Sequence, residues 1–207
     1  QRPNCGTRND DAQLRTVSTF LMTIPGVPLF YYGDEIGMKF IDGLPNKEGS
    51  LLTKGNRAGS RTPMQWDGSE GAGFSSAGQD KYYLPIDDSP YRPNVETQMA
   101  NPSSLLHFNR RLLQLRKQYP ALGTRGGIRF LYAEANKYPL VYERTANGQR
   151  FIIVINPSGK AVKAECSFSG AAKEFKPVLV DRTSLKLVKD KLQINADGVS
   201  YGLFMVN

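Results

Sequence analysis

The stretch VPLFYYG, residues 27–33, decides how this chain is read. It is a continuous apolar and aromatic run with Gly26 before it and Gly33 at its end. A run without polar alternation fits a strand buried on both faces, as parallel sheets require. Immediately upstream, residues 10–24 (DDAQLRTVSTFLMTI) read as a helix. Asn9 or Asp10 is placed to cap it, and Asp10 and Asp11 suit the positive end of its dipole. Leu14, Val17, Leu21 and Ile24 follow the stripe of a half-buried helix. Pro25-Gly26 stops it. Helix, tight turn and buried strand follow one another as in α/β proteins, not as in sandwiches.

One parallel strand cannot bury both its faces, and a helix needs a sheet beneath it. Residues 1–125 therefore read as a piece of a larger α/β domain, with the missing partners expected N-terminal to Gln1. Residues 38–102 are rich in Gly, Pro, Asn, Asp and Ser and show little periodicity. A long irregular stretch in a compact domain is usually functional. Helix returns at about Ser103 to Tyr119, where Leu105, Leu106, Phe108, Leu112, Leu113 and Leu115 build a broad apolar face. Pro120 and Gly123 end it.

From Gly126 the texture changes. IRFLYA, PLVYER, RFIIVINP, VKAECSF, EFKPVLV, SLKLV, LQIN and YGLFMV are short β-rich runs. Ala146-Asn147-Gly148 between two of them signals a hairpin. Seven or eight short strands at regular spacing predict an antiparallel sandwich or barrel. The boundary falls near Leu122 to Gly127.

Composition excludes several classes of function. The 207 residues carry 27 Lys and Arg against 19 Asp and Glu, a net +8. No block of like charge occurs, and no aromatics interleave with arginines as a nucleic-acid groove would need. No run of 18 apolar residues exists to span a membrane. Neither nucleic acid nor membrane is therefore expected as a partner. Cys5 and Cys166 form no disulfide framework and no zinc spacing, and read as free thiols. His107 is the single histidine. No calcium loop is visible. No metal and no cofactor are expected.

Three strings carry the specific signal. The first is Gly59-Ser60-Arg61-Thr62-Pro63-Met64-Gln65-Trp66-Asp67, preceded by Arg57. The second is Ile24 to Gly37. The third is Asn94-Val95-Glu96-Thr97-Gln98, followed by the Leu-rich helix ending Leu115-Arg116-Lys117. In this order and spacing they resemble glycoside hydrolase family 13, in its branch of α-glucosidases, oligo-1,6-glucosidases and trehalose-converting enzymes. The resemblance covers residues 1–122. It implies the last part of a (β/α)8 barrel, comprising helix 7, strand 8, a long loop and helix 8. Residues 123–207 then stand in the place of that family's C-terminal β-sandwich.

The resemblance also implies where the chemistry lies. Retaining hydrolysis needs a nucleophilic carboxylate and a carboxylic acid about 5 to 5.5 Å apart. In the family these follow the fourth and fifth strands, helped by an Asp after the seventh. All three map before Gln1, so no catalytic residue is expected in this sequence and the chain alone is expected to be inactive. Asp34 and Glu35 are poor substitutes, because adjacent residues of an extended segment point opposite ways.

Substrate-binding candidates are Arg57, Arg61, Gln1 and Arg2. A guanidinium offers a rigid fork of donors for a carboxylate or sugar hydroxyls. Gln1-Arg2 resembles the residues just after the family's Asn-His-Asp motif. Trp66, the single tryptophan, reads either as a sugar platform or as an anchor of its own loop. The implied function of the complete protein is action on the α-glucosidic bonds of oligosaccharides. The implied partners are an α-linked oligosaccharide and the missing barrel segment. Two other readings stand beside it. One is a non-catalytic family member serving as a partner subunit, and the other is a carbohydrate-binding module centred on the sandwich.

Overall fold

The computed structural model describes residues 10–47 and 57–207. Gln1, Arg2 and Cys5 lie outside the described residues. The contacts divide the chain into two compact units that interleave in sequence. One comprises the residues up to Leu14 together with Leu29–Arg110, and the other Arg15–Pro28 together with Arg111–Asn207. Two of the three divisions fall inside helices, α1 (Asp11–Thr23) and α3 (Leu105–Gln118), and the third falls between Pro28 and Leu29.

Helix α1 starts as its sequence predicts. Asp10 Oδ1 accepts the Ala12 and Gln13 amides at 2.9 and 3.3 Å, closing two of the orphan donors of the first turn. The face it buries differs from the apolar stripe. Leu14 and Met22 are buried, but so are Thr16, Ser18, Thr19 and Thr23, whereas Val17 is exposed. Buried hydroxyls need partners. Thr23 Oγ1 has the Thr19 carbonyl at 2.6 Å and the Tyr142 hydroxyl at 2.5 Å. Burial pushes the Tyr142 phenol well above its usual range, with the Thr23 hydrogen bond opposing it.

Residues 27–33 form no β-ladder in this chain. Val27 is 83% and Leu29 86% exposed. The apolar run is present but lacks the neighbouring strands that make such a run a strand. Backbone ladders need a second backbone, and side chains exposed on both faces gain nothing from the pattern.

In the first unit, Ile36, Met38, Met64 and Leu106 form a small core, with Val95 packed on it. Long-range polar contacts do much of the tying. Gln98 Nε2 donates to the Ile36 carbonyl at 2.7 Å while its Oε1 accepts the Leu106 amide at 3.0 Å. The short helix α2 (Val95–Ala100) is capped by Asn94, whose side chain accepts the Thr97 amide. The sequence reading treated Asn94–Gln98 only as a motif. A six-residue helix carries too little periodicity to be seen, and its cap was the available signal.

The second unit is built on one six-stranded antiparallel sheet. Its strands are β1 (Gly127–Tyr132), β2 (Leu140–Ala146), β3 (Gln149–Asn156), β4 (Val162–Ser167), β5 (Phe175–Val188) and β6 (Lys191–Val206). The order is β1-β2-β3-β6-β4, with β5 also paired to β6. The β2–β3 turn is the predicted one: Asn147 and Gly148 both have positive φ (49° and 76°), as a two-residue hairpin requires.

Four of the eight predicted runs fuse pairwise into the two long strands. EFKPVLV and SLKLV are one strand, β5, with a register shift between Asp181 and Thr183, and LQIN and YGLFMV are one strand, β6. Chain-local turn residues at 181–183 and 197–199 mark bends there, not strand ends. The bends matter for the sheet. The first half of β6 pairs β4, and its second half pairs β3. The sheet thereby curls until its two ends, β1 and β4, approach each other. Val141, Ile152 and Val154 from one part share a core with Cys166, Leu192, Ile194 and Ala196 from the other. Cys166 is a free, buried thiol, and burial raises its pKa.

Two charged groups within this unit, Glu143 and Arg144, are buried and multiply hydrogen-bonded. Glu143 accepts from Arg129 Nε at 3.0 Å and from Arg150 Nε and Nη2 at 2.9 and 2.6 Å. Arg144 is 0% exposed and pairs with no carboxylate among the described residues. Its guanidinium donates to the carbonyls of Gly127 (3.0 Å), Gly123 (2.7 Å), Gly126 (3.1 Å) and Thr23. Arg116 does the same for the end of α1, donating to Met22 (2.7 Å), Ile24 (3.0 Å) and Gly26. The last carbonyls of a helix lack intrahelical partners, and cations suit that end of the dipole.

Candidate functional site

The first unit carries an open cavity of ≈ 340 Å³ lined by Tyr31, Arg57, Ser60 and Arg61. Two tight turns bring these four residues together. Tyr31 enters a turn in which Asp34 Oδ2 accepts its amide at 3.2 Å and its carbonyl accepts the Asp34 amide at 3.0 Å. Gly33 and Gly37 bracket the following 3-10 turn, Asp34–Ile36, with φ of 84° and 72°. Only glycine adopts that backbone without strain.

The second turn is the 3-10 turn Ala58–Ser60, with Arg57 before it and Arg61 after it. The Arg57 carbonyl accepts both the Ser60 amide (3.0 Å) and the Ser60 hydroxyl (2.9 Å). Gly59 is the required residue at the centre. A Cβ there would sit 2.1 Å from the Ile41 carbonyl oxygen. The turn is thus pressed against the Ile41 backbone, whose amide donates to Gly59 O at 3.1 Å. A buried turn between them fixes where the two guanidinium stems leave the chain.

The cavity therefore presents two guanidinium groups, a phenol and a hydroxyl, with no carboxylate among the described residues that line it. Guanidinium donates five hydrogen bonds in a fixed plane and accepts none. Such a set can orient hydroxyls or an anionic group. It contains no pair of carboxyl groups for acid and nucleophile chemistry on a glycosidic bond. Asp34 and Glu35 do not supply one. They occupy the 3-10 turn, not the extended segment the sequence predicted, so they diverge by about a third of a turn.

Arg57 and Arg61, the sequence's candidates for substrate contact among the described residues, line one cavity. Gln1 and Arg2 lie outside the described residues. Trp66 is not among the residues that line this cavity. Its amide donates to Ala72 O at 2.8 Å and its carbonyl accepts the Glu96 amide at 2.9 Å, so its backbone anchors the loop while its ring is exposed. His107 lies on α3 with Nε2 3.1 Å from the Met99 carbonyl. Among the described residues no group of three or more His, Cys, Asp or Glu side chains gathers to hold a metal, and no helix is long and apolar enough to cross a membrane.

Tyr31 and Ser60 were not singled out as site residues. Ser60 stood inside the quoted Gly59–Asp67 string, and Tyr31 inside the apolar run read as core. The exposed side of that run carried no sequence mark.

Comparison with known proteins agrees with the motifs. The Alpha amylase, catalytic domain, family model matches residues 3–125. The chain belongs to the α-amylase family of glycoside hydrolases, family 13. It is 39% identical over 153 residues to trehalose synthase of Thermus thermophilus, covering 72% of this chain and 15% of that protein. It is 30% identical over 180 residues to oligo-1,6-glucosidase of Parageobacillus thermoglucosidasius, covering 73% of this chain and 31% of that protein. In structure it resembles trehalulose synthase MutB from Pseudomonas mesoacidophila MX-45, with a TM-score of 0.74 at 21% identity over 95% of this chain and 38% of that one. The chain spans well under half the length of each of these relatives.

Proposed function

We propose that this sequence is the C-terminal portion of an enzyme that acts on α-glucosidic bonds of oligosaccharides by the retaining two-carboxylate mechanism. In this reading residues 1–122 are the last part of a (β/α)8 barrel and residues 123–207 a β-sandwich. The catalytic carboxylates belong to the barrel segment outside this sequence, so the 207-residue chain alone is inactive. Arg57 and Arg61, with Gln1 and Arg2, contact the sugar beside the scissile bond.

The observation that carries this proposal is the Arg57–Arg61 cavity: a donor-rich site, with no carboxylate among the described residues that line it, on a chain of the α-amylase family. It holds the positioning half of a glycosidase site without the reacting half. The exposed Val27 and Leu29 support the same reading, since leaving each in water forgoes about 1.5–3 kcal/mol. Flanking strands from the rest of a barrel would cover them.

The test is glucose release or isomerisation with maltose and isomaltose, comparing this chain with the protein at its natural length. Activity in the longer protein and none in the chain is the expected result. Turnover by the purified chain would place the reacting carboxylates within these 207 residues and overturn the proposal. An inert natural-length protein would instead favour the non-catalytic partner reading.

A further inference from the structure

Helix α1 does not bury its apolar stripe. Thr16, Ser18, Thr19 and Thr23 are buried, while Val17 is 39% exposed. An amphipathic helix free to turn would cover its apolar side. This one is held. Thr23 Oγ1 lies 2.5 Å from the Tyr142 hydroxyl, and Phe20 meets the Tyr142 ring edge to face with centroids 6.4 Å apart. Arg116 donates to the carbonyls of Met22 and Ile24. Turning the helix to bury Val17 would break these contacts.

The fixed helix leaves an open cavity of ≈ 210 Å³ beside Val17 and Phe20. Leu140 at the start of β2 and Ile155 near the end of β3 face each other across the ladder, and both line it. Tyr138 lines it too and is 44% exposed. The wall is apolar throughout. All of these residues belong to the sheet unit.

That chemistry restricts the occupant. A saccharide would lose water from its hydroxyls and find no partner for them here. The volume also falls below the roughly 300–1,000 Å³ of small-molecule sites. Apolar side chains of a protein segment suit it better. The relatives of this chain are far longer than it is. In the proposed reading the absent barrel segment joins at Gln1, ten residues before α1 begins at Asp11. Ten residues reach at most about 36 Å. That segment is therefore tethered near α1, at an effective concentration that a free second copy does not match.

We propose that this cavity is a docking point for the absent barrel segment, which seats apolar side chains against Val17, Phe20, Leu140 and Ile155. This rests on the proposed function, in which that segment carries the catalytic carboxylates. The sheet unit then serves the enzyme by holding the part of the protein on which the chemistry depends.

The experiment uses the natural-length protein with Tyr138→p-benzoylphenylalanine, a photoactivated cross-linker, and maps the linked peptides by mass spectrometry. A link within one molecule, to a residue N-terminal to Gln1, is the expected result. A link between two molecules would assign the cavity to a second copy. No link, or links confined to residues 1–207, would mean that the cavity stays open. Each of these overturns the proposal. Val17→Lys gives a second readout. Lysine is the better helix former, so on an open surface it costs nothing. In a docked apolar seam it buries a charge and should lower the Tm of the natural-length protein, whereas Val17→Ile should leave it unchanged. An unchanged Tm in Val17→Lys would count against docking. Glucose release is measured beside both. An inert protein that still forms the intramolecular link would sustain the docking point while the enzymatic reading falls. An active protein without the link would do the reverse.

Discussion

Arginine serves opposite purposes in the two units. In the sheet unit, Arg144 is wholly buried among four backbone carbonyls, and Arg116 holds three more at the end of α1. In the loop unit, Arg57 is exposed and Arg61 half-buried, and both line one open cavity. The difference lies in what each guanidinium faces. Donors held by fixed carbonyls organise a fold, whereas a guanidinium that lines an open cavity can organise a ligand. Side-chain type says nothing about which, and neither does charge count.

The largest effect that would sharpen this contrast is expected from Arg144→Met. Methionine fills much of the volume but donates nothing, leaving buried carbonyls unpaired at about 1–3 kcal/mol each. A loss of about 3 kcal/mol or more is expected, read as a lower urea midpoint with unchanged slope. A loss below about 1 kcal/mol would mean that water replaces the guanidinium and that the clamp is not structural.

Arg57→Ala in the natural-length protein should give the reverse pattern. Exposed and engaged only through its backbone, Arg57 contributes to stability within about 0.5 kcal/mol. Its loss from the cavity should raise KM for α-glucosides about tenfold, as expected for one charged hydrogen bond to substrate. An unfolding shift comparable to that of Arg144→Met would erase the distinction between the two kinds of arginine.

The smallest effect concerns the exposed pair on β4 and β6. Lys191 Nζ lies 2.9 Å from Glu165 Oε1. The Lys191 hydrogen bond, then that of Gln193, holds the Glu165 carboxyl below its usual range. A folded pKa below the unfolded one stabilises the fold above the unfolded value, near 4.3, and that contribution is lost as pH falls through the folded pKa. Glu165→Gln should therefore lower Tm slightly at pH 6 and have no effect at pH 2. Solvent exposure of both side chains and salt screening keep this below the two arginine effects. A larger loss at pH 2 than at pH 6 would reverse the assigned sign.

Much of the fold was legible because it is local. Asp10 caps α1, Asn147-Gly148 turns the β2–β3 hairpin, and Leu105, Leu106, Phe108, Leu112 and Leu115 are the buried side of α3. Leu113 is the exception in that stripe, half exposed. The runs that fused into β5 and β6 were not legible as single strands. Positive-φ residues such as Arg182 and Val199 bend a strand without ending it, and only the partner strand shows that pairing continues. The cavity was legible in part. Arg57 and Arg61 stood out through their motif, while Tyr31 and Ser60 meet them through turns whose closure depends on Gly33 and Gly59.

By itself the sequence determined the family, helices α1 and α3, the Asp10 cap and the β2–β3 hairpin, and it offered Arg57 and Arg61 as candidates for sugar contact. Each of these rests on neighbouring residues or on a short string. The tertiary structure alone decided that VPLFYYG forms no ladder in this chain, that Arg144 clamps carbonyls while Arg57 lines a cavity, and that α1 buries its threonines while Val17 stays exposed. Those outcomes depend on which distant backbone or side chain stands opposite. Hydrogen bonds and burial are properties of pairs of groups, and a linear pattern specifies only one member of each pair.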